Sequence, residues 1–193
     1  MTNWYCPLPF KHIFVDSTGL SPCCNTVSEF GLDVDIEQYK SHPKVIKLQS
    51  QFLSGDVPEA CGFCQKQERV QNKSMRLDAL DDYNHEIFET TQFDFIHFSQ
   101  SNLCNFKCRS CGPQDSHGIA QEYSKYPELI IPVNAKVVAV NQNNHQWIID
   151  NLSSLKRLYL TGGEPTIMPE IRKIIEQVSS QPYPDSNIMI TTN

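Results

Sequence analysis

The chain has 193 residues, with sixteen Lys plus Arg against twenty-two Asp plus Glu for a formal charge of −6. This composition excludes low-complexity and collagen-like chains, gives no broad basic footprint for nucleic acid, and leaves length for one full domain or two small ones. No stretch reaches the roughly 18 apolar residues of a membrane span, and the first residues lack the basic and apolar segments of an export signal, so a soluble cytoplasmic protein is expected.

Taken in chain order, residues 13–16 read as a short strand that enters a Ser17-Thr18-Gly19 turn. Residues 43–53 read as a helix, with Pro43 at its start, Gly55 past its end, and Val45, Leu48 and Phe52 on one face. From Lys66 to about Thr91 the sequence is charged and polar, which predicts one or two exposed helices between two modules. The expected domains are 1–90, a small cysteine-rich α+β module, and 91–193.

The second module alternates in type. Residues 93–98 predict a strand, 116–126 a helix, and 127–144 an irregular insertion. A helix over 145–155 and a strand over 157–161 follow. From Pro169 the positions Ile171, Ile174, Ile175 and Val178 mark an amphipathic helix, and 187–192 make a third strand. Strands alternating with helices predict an α/β fold with a parallel sheet, in which loops at the strand ends carry the chemistry.

Eight cysteines in a reducing compartment point to metal or redox chemistry rather than disulfides. Cys104, Cys108 and Cys111 fall within eight residues directly after a strand, so one loop can wrap three sides of a cluster. Three thiolates on four irons leave one iron open for a chelating ligand. Gly162-Gly163-Glu164-Pro165 ends the next strand, where small residues admit close backbone approach and the Glu offers an acceptor suited to an ammonium group. Cys6, Cys23, Cys24, Cys61 and Cys64 form a separate group, in which Cys61-x2-Cys64 also suits zinc.

The C-x3-C-x2-C loop after one strand, followed by Gly-Gly-Glu-Pro after the next, resembles the radical S-adenosylmethionine superfamily over roughly residues 93–193. The resemblance implies a partial (β/α) barrel, of which these are the first three strands. It implies a [4Fe-4S] cluster on Cys104, Cys108 and Cys111, and S-adenosylmethionine held by Gly162, Gly163 and Glu164, with Thr191 and Asn193 at the polar end of the third strand. It also implies reductive cleavage of that cofactor to methionine and a 5′-deoxyadenosyl radical, with an electron donor such as ferredoxin or flavodoxin. Ser110 departs from the family pattern, which places an aromatic residue before the last cysteine.

Cys6, then Gly19, Cys24, Cys61 and Cys64 resemble the auxiliary-cluster domains called SPASM and twitch, although those usually follow the radical domain. That resemblance implies a second [4Fe-4S] cluster on Cys6, Cys24, Cys61 and Cys64, with Cys23 as the alternative to Cys24. It further implies a peptide or protein substrate. Modification of RNA or of a small metabolite, and a non-catalytic iron–sulfur or zinc module for electron transfer, remain as alternatives, the acidic charge arguing against RNA. Three strands are fewer than the family's barrel holds, so the chain is expected to be truncated or to need a partner.

Overall fold

The Val45, Leu48 and Phe52 stripe turns inward in the computed structural model, which describes residues 4–126, 128, 137–183 and 185–192. The chain divides into two units, Met1–Phe14 with Thr18–Ile96, and Val15–Ser17 with His97–Asn193. Together the elements make a mixed α/β fold. Among the described residues, no helix is long and apolar enough to cross a membrane.

The first unit carries α1 (Leu8–Lys11), β1 (His12–Asp16, which runs across the division), β2 (Gly19–Ser21), α2 (Ile36–Lys40), α3 (Pro43–Ser54), α4 (Gly62–Gln71) and α5 (Met75–Asp82). Helix α3 starts where the His42 side chain accepts from the Lys44 amide and ends at Gly55, as the sequence predicts. Leu48 and Phe52 of its stripe pack with Tyr5, Leu8, Phe10 and Ala79, and Cys6 and Cys23 belong to the same apolar cluster. Tyr5 anchors a distant segment, because its hydroxyl accepts the Phe88 amide at 2.7 Å.

Two features differ from expectation. Helix α2 was not expected, yet Asp35 and Gln38 form a capping box at its start that satisfies two end amides. The stretch expected as exposed helix is α4 and α5, and α5 buries Arg76 and Ala79. A charged residue is buried there because Glu68 pairs with it at 2.6 Å.

The second unit takes up β3 (Phe95–Ser99) from His97 onward, then α6 (His117–Tyr123), α7 (Gln142–Asn151), β4 (Arg157–Leu160), α8 (Pro169–Ser180) and β5 (Asn187–Ile190). The strands lie in the order β3-β4-β5. Strands β4 and β5 pair in parallel, Arg157 opposite Asn187 and Leu160 opposite Ile190, with α8 as the crossover. Leu158 and Leu160 are buried on one face, and Ile171 and Ile174 of α8 are fully buried. Helix α7 starts three residues earlier than predicted because the Asn141 side chain caps the amides of Asn143 and Asn144. Half of the expected insertion, residues 127 and 129–136, lies outside the described residues.

Phe52 is 1% exposed at the centre of the first unit's core. Phe52→Ala is expected to destabilise the fold by about 3–5 kcal/mol, read as a lowered urea midpoint. A change under about 1 kcal/mol would contradict this packing.

Candidate functional site

The cysteine loop leaves β3 through a buried polar segment, Gln100, Ser101 and Asn102. The Asn102 side chain donates to Pro113 O at 3.3 Å and accepts from the Val138 amide at 3.0 Å. Its carbonyl accepts the His117 amide at 2.8 Å, so one residue ties together both ends of the loop. Ser116 caps α6 and also donates to Phe106 O at 2.7 Å. The Cys104 amide donates to His117 Nδ1 at 3.3 Å, which places the neutral ring's proton on Nε2. None of Asn102, Ser116 and His117 carries a motif that marks it in the sequence.

Cys104 is buried, Cys108 half-buried and Cys111 exposed. The Phe106 amide donates to Cys104 Sγ at 3.3 Å, and a turn closes from the Cys111 amide to Cys108 O at 3.1 Å. The Cys111 thiol is raised above its ordinary pKa by desolvation and by Asp115, Cys108 and Cys104, so Cys111 lies within electrostatic reach of the other two cysteines. Beside them Cys104, Phe106, Lys107, His117, Gln121 and Ile167 line a groove of about 410 Å³. Lys107 pairs with Glu122.

The Gly-Gly-Glu turn packs on this loop by backbone pairing. Thr161 N donates to Phe98 O at 2.9 Å, Gly163 N to Ser101 O at 2.9 Å, and Glu164 N to Leu103 O at 2.8 Å. A Cβ on Gly163 would stand 2.2 Å from Leu103 O, and Gly162 has φ +112° with Ser101 O at 2.9 Å from its own Cβ position. The close approach read from the sequence is therefore made to the chain's own cysteine loop. Glu164 is 2% exposed, and its Oε1 accepts from Thr166 N, Thr166 Oγ1 and Thr192 Oγ1 at 3.0, 2.6 and 2.6 Å. Thr191 is engaged by Tyr159, hydroxyl to hydroxyl at 2.7 Å, and Asn193 lies outside the described residues.

On β3 the His97 ring packs against Tyr159, tilted by 32° with centroids 4.5 Å apart, and its Nε2 meets Thr161 Oγ1 at 2.8 Å. Burial lowers its pKa to about 4.

In the first unit, Cys6, Cys23, Cys61 and Cys64 line one small cavity with Arg76, and Cys24 is exposed. Burial pushes Cys6 well up, Cys23 to about 11 and Cys61 to about 12. Among the described residues, no three His, Cys, Asp or Glu side chains close on a point that could hold a single metal ion. The donor chemistry of both cysteine sets still fits an iron–sulfur group: in one a backbone amide donates to sulfur, and in the other four thiols line one cavity.

No protein-family model and no solved structure matches the chain. Curated relatives do. The GTP 3',8-cyclase of Microcystis aeruginosa is 26% identical over 102 residues, covering 53% of this chain and 28% of that protein. Those of Nostoc punctiforme and Crocosphaera subtropica are each 25% identical, over 105 and 103 residues. The chain thus spans about a quarter of the length of the relatives it matches.

Two outcomes test this geometry. Gly163→Ala is expected to cost at least about 1–3 kcal/mol, because the Leu103 carbonyl must move; an unchanged urea midpoint would contradict the close approach. The folded pKa of His97, about 4, lies below the unfolded value of about 6.5, so the unfolded chain takes up the proton first. Its share of stability is present above about pH 6.5 and is lost as pH falls toward about 4. An NMR midpoint for His97 near 6.5 would contradict its burial.

Over about half of its length, the chain is thus similar to proteins named GTP 3',8-cyclase.

Proposed function

We propose that the chain contributes the cluster-binding part of a radical S-adenosylmethionine enzyme, built on the start of a partial (β/α) barrel. What carries the reading is the C-x3-C-x2-C loop fastened to the Gly-Gly-Glu turn by backbone hydrogen bonds of 2.8–2.9 Å. Cys104, Cys108 and Cys111 are the ligands of a [4Fe-4S] cluster, which when bound supplies the electron that cleaves the cofactor's sulfonium.

The chain's own groups have distinct tasks in this reading. Phe106 N–H steadies the Cys104 sulfur, and amide donation to sulfur is one of the factors that set an iron–sulfur potential. Thr192 and Thr166 hold Glu164 so that the turn keeps its place over the loop. The cofactor's amino-acid end binds at Gly162, Gly163 and Glu164, and Thr191 stands at the end of β5 on the same side as Tyr159.

The first unit's cysteines hold a second [4Fe-4S] cluster, supported by the four thiols around one cavity. A ferredoxin- or flavodoxin-type donor supplies electrons. For a peptide or protein substrate the support is the auxiliary-domain resemblance alone, and the relatives bear a different name, GTP 3',8-cyclase.

Anaerobic reconstitution with iron and sulfide tests the reading. Cys104→Ala, Cys108→Ala or Cys111→Ala is expected to remove about four irons per chain and to abolish any change in the reduced cluster's EPR signal on adding S-adenosylmethionine. Stoichiometric zinc without iron, or an unchanged iron content in all three variants, would contradict it.

A further inference from the structure

The sequence resemblance selects Cys24 by its spacing from Gly19, yet the fold treats the adjacent cysteines oppositely. Cys23 is extended, with φ −162° and ψ 168°, immediately before a 3-10 turn at Cys24–Thr26. Its side chain therefore points to the side that Cys24 does not share. Cys23 is 9% exposed and lines the cavity with Cys6, Cys61 and Cys64, whereas Cys24 is exposed and does not line it. The Cys24 sulfur lies 4.0 Å from Sδ of Met75, which lines the cavity where Cys24 does not. Thr26 fixes the choice, since its hydroxyl donates to Cys23 O at 2.9 Å and sits 3.7 Å from Cys23 Sγ.

A permanent cation also lines the cavity. Arg76 is 9% exposed and held on three sides. It donates through Nη1 to Tyr5 O at 2.9 Å, and through Nε and Nη2 to Glu68 at 2.9 and 2.6 Å. Its guanidinium lies 3.9 Å from the Trp4 ring centroid. A side chain so fixed cannot turn away from the thiols, and a guanidinium stays charged at any relevant pH. Four thiolates outweigh the positive charge of the iron–sulfur core they would bind, and a buried net anion is costly in a low-dielectric interior, so a cation in the lining offsets part of it, beyond the share that Glu68 takes up.

Zinc would need all its sulfurs about 2.3 Å from one point. In a four-iron cluster each sulfur binds a different iron, which lets the thiolates stand wider apart.

We infer that Cys6, Cys23, Cys61 and Cys64 form a closed four-thiolate iron–sulfur centre in the first unit, with Arg76 as its fixed countercharge and Cys24 outside it. The inference rests on the auxiliary-cluster reading given above and specifies its ligands. Each ligation step exchanges one S–H bond for one S–iron bond and releases the proton to water, without change of oxidation state. With four protein ligands no iron stays open, so the centre carries electrons rather than binding substrate. Net charge is one of the quantities that set such a potential, and Arg76 raises it by favouring the reduced, more negative state.

The full chain carrying Cys104→Ala, Cys108→Ala and Cys111→Ala isolates this centre. Reconstituted with iron and sulfide, it is expected to bind about four irons. Adding Cys23→Ser is expected to lower the iron at least tenfold, and adding Cys24→Ser to leave it unchanged. Loss of iron in the Cys24→Ser protein would overturn the ligand assignment, whatever the folding of its Cys23→Ser counterpart. A background protein that is folded by circular dichroism but takes up no iron, or takes up zinc instead, would overturn the auxiliary-cluster reading itself. In the same background Arg76→Gln is expected to shift the cluster's reduction potential to more negative values and Arg76→Lys to restore most of it. Equal potentials in both variants would overturn the countercharge.

Discussion

The backbone of Gly163 lies so close to the carbonyl of Leu103 that any side chain at position 163 would occupy the same space. That contact, with the amides of Gly163 and Glu164 on Ser101 O and Leu103 O, sets where the cysteine loop begins relative to the end of β4. From it the rest of the second unit's site follows. The loop can leave β3 and return through Asn102 and His117 to α6, because its first residues are already anchored. Glu164 then reaches Thr192 beyond β5, so the ends of two neighbouring strands and the cysteine loop share one hydrogen-bond network. Ser101, Asn102 and Glu164 at its centre are buried polar groups, which hold position only when their partners are all in place.

Much of this was legible where apolar periodicity is strong. The Val45, Leu48 and Phe52 face, and Ile171 with Ile174, are buried as their spacing requires. The motif residues fall in loops after β3 and β4, as an α/β alternation dictates. What was not legible depends on contacts distant in sequence. The glycines read as making room for a ligand, whereas the backbone they admit is that of Ser101 and Leu103. Asn102, Ser116 and Thr192 are ordinary polar residues in a sequence, and only the fold shows what they hold. The Asp35 and Gln38 capping box was readable at its spacing of three, but a five-residue helix has too little apolar pattern to draw attention to it.

The neighbouring Cys23 and Cys24 illustrate the same limit on a finer scale. Spacing arguments count residues along the chain, and a shift of one residue barely alters them. Along an extended backbone that shift reverses the side chain's direction, so the structure separates two sulfurs that the sequence nearly equates. Arg76 likewise reads as a solvated helix charge until Glu68, Tyr5 and Trp4 are seen around it.

The central claim is that the loop of Cys104, Cys108 and Cys111 presents a cluster with one iron open to S-adenosylmethionine. Mössbauer spectroscopy of the chain reconstituted with ⁵⁷Fe, recorded with and without the cofactor, tests it most directly. One iron of the loop cluster is expected to change its isomer shift when S-adenosylmethionine is added, while the other irons keep theirs. Spectra that are identical with and without the cofactor would contradict it.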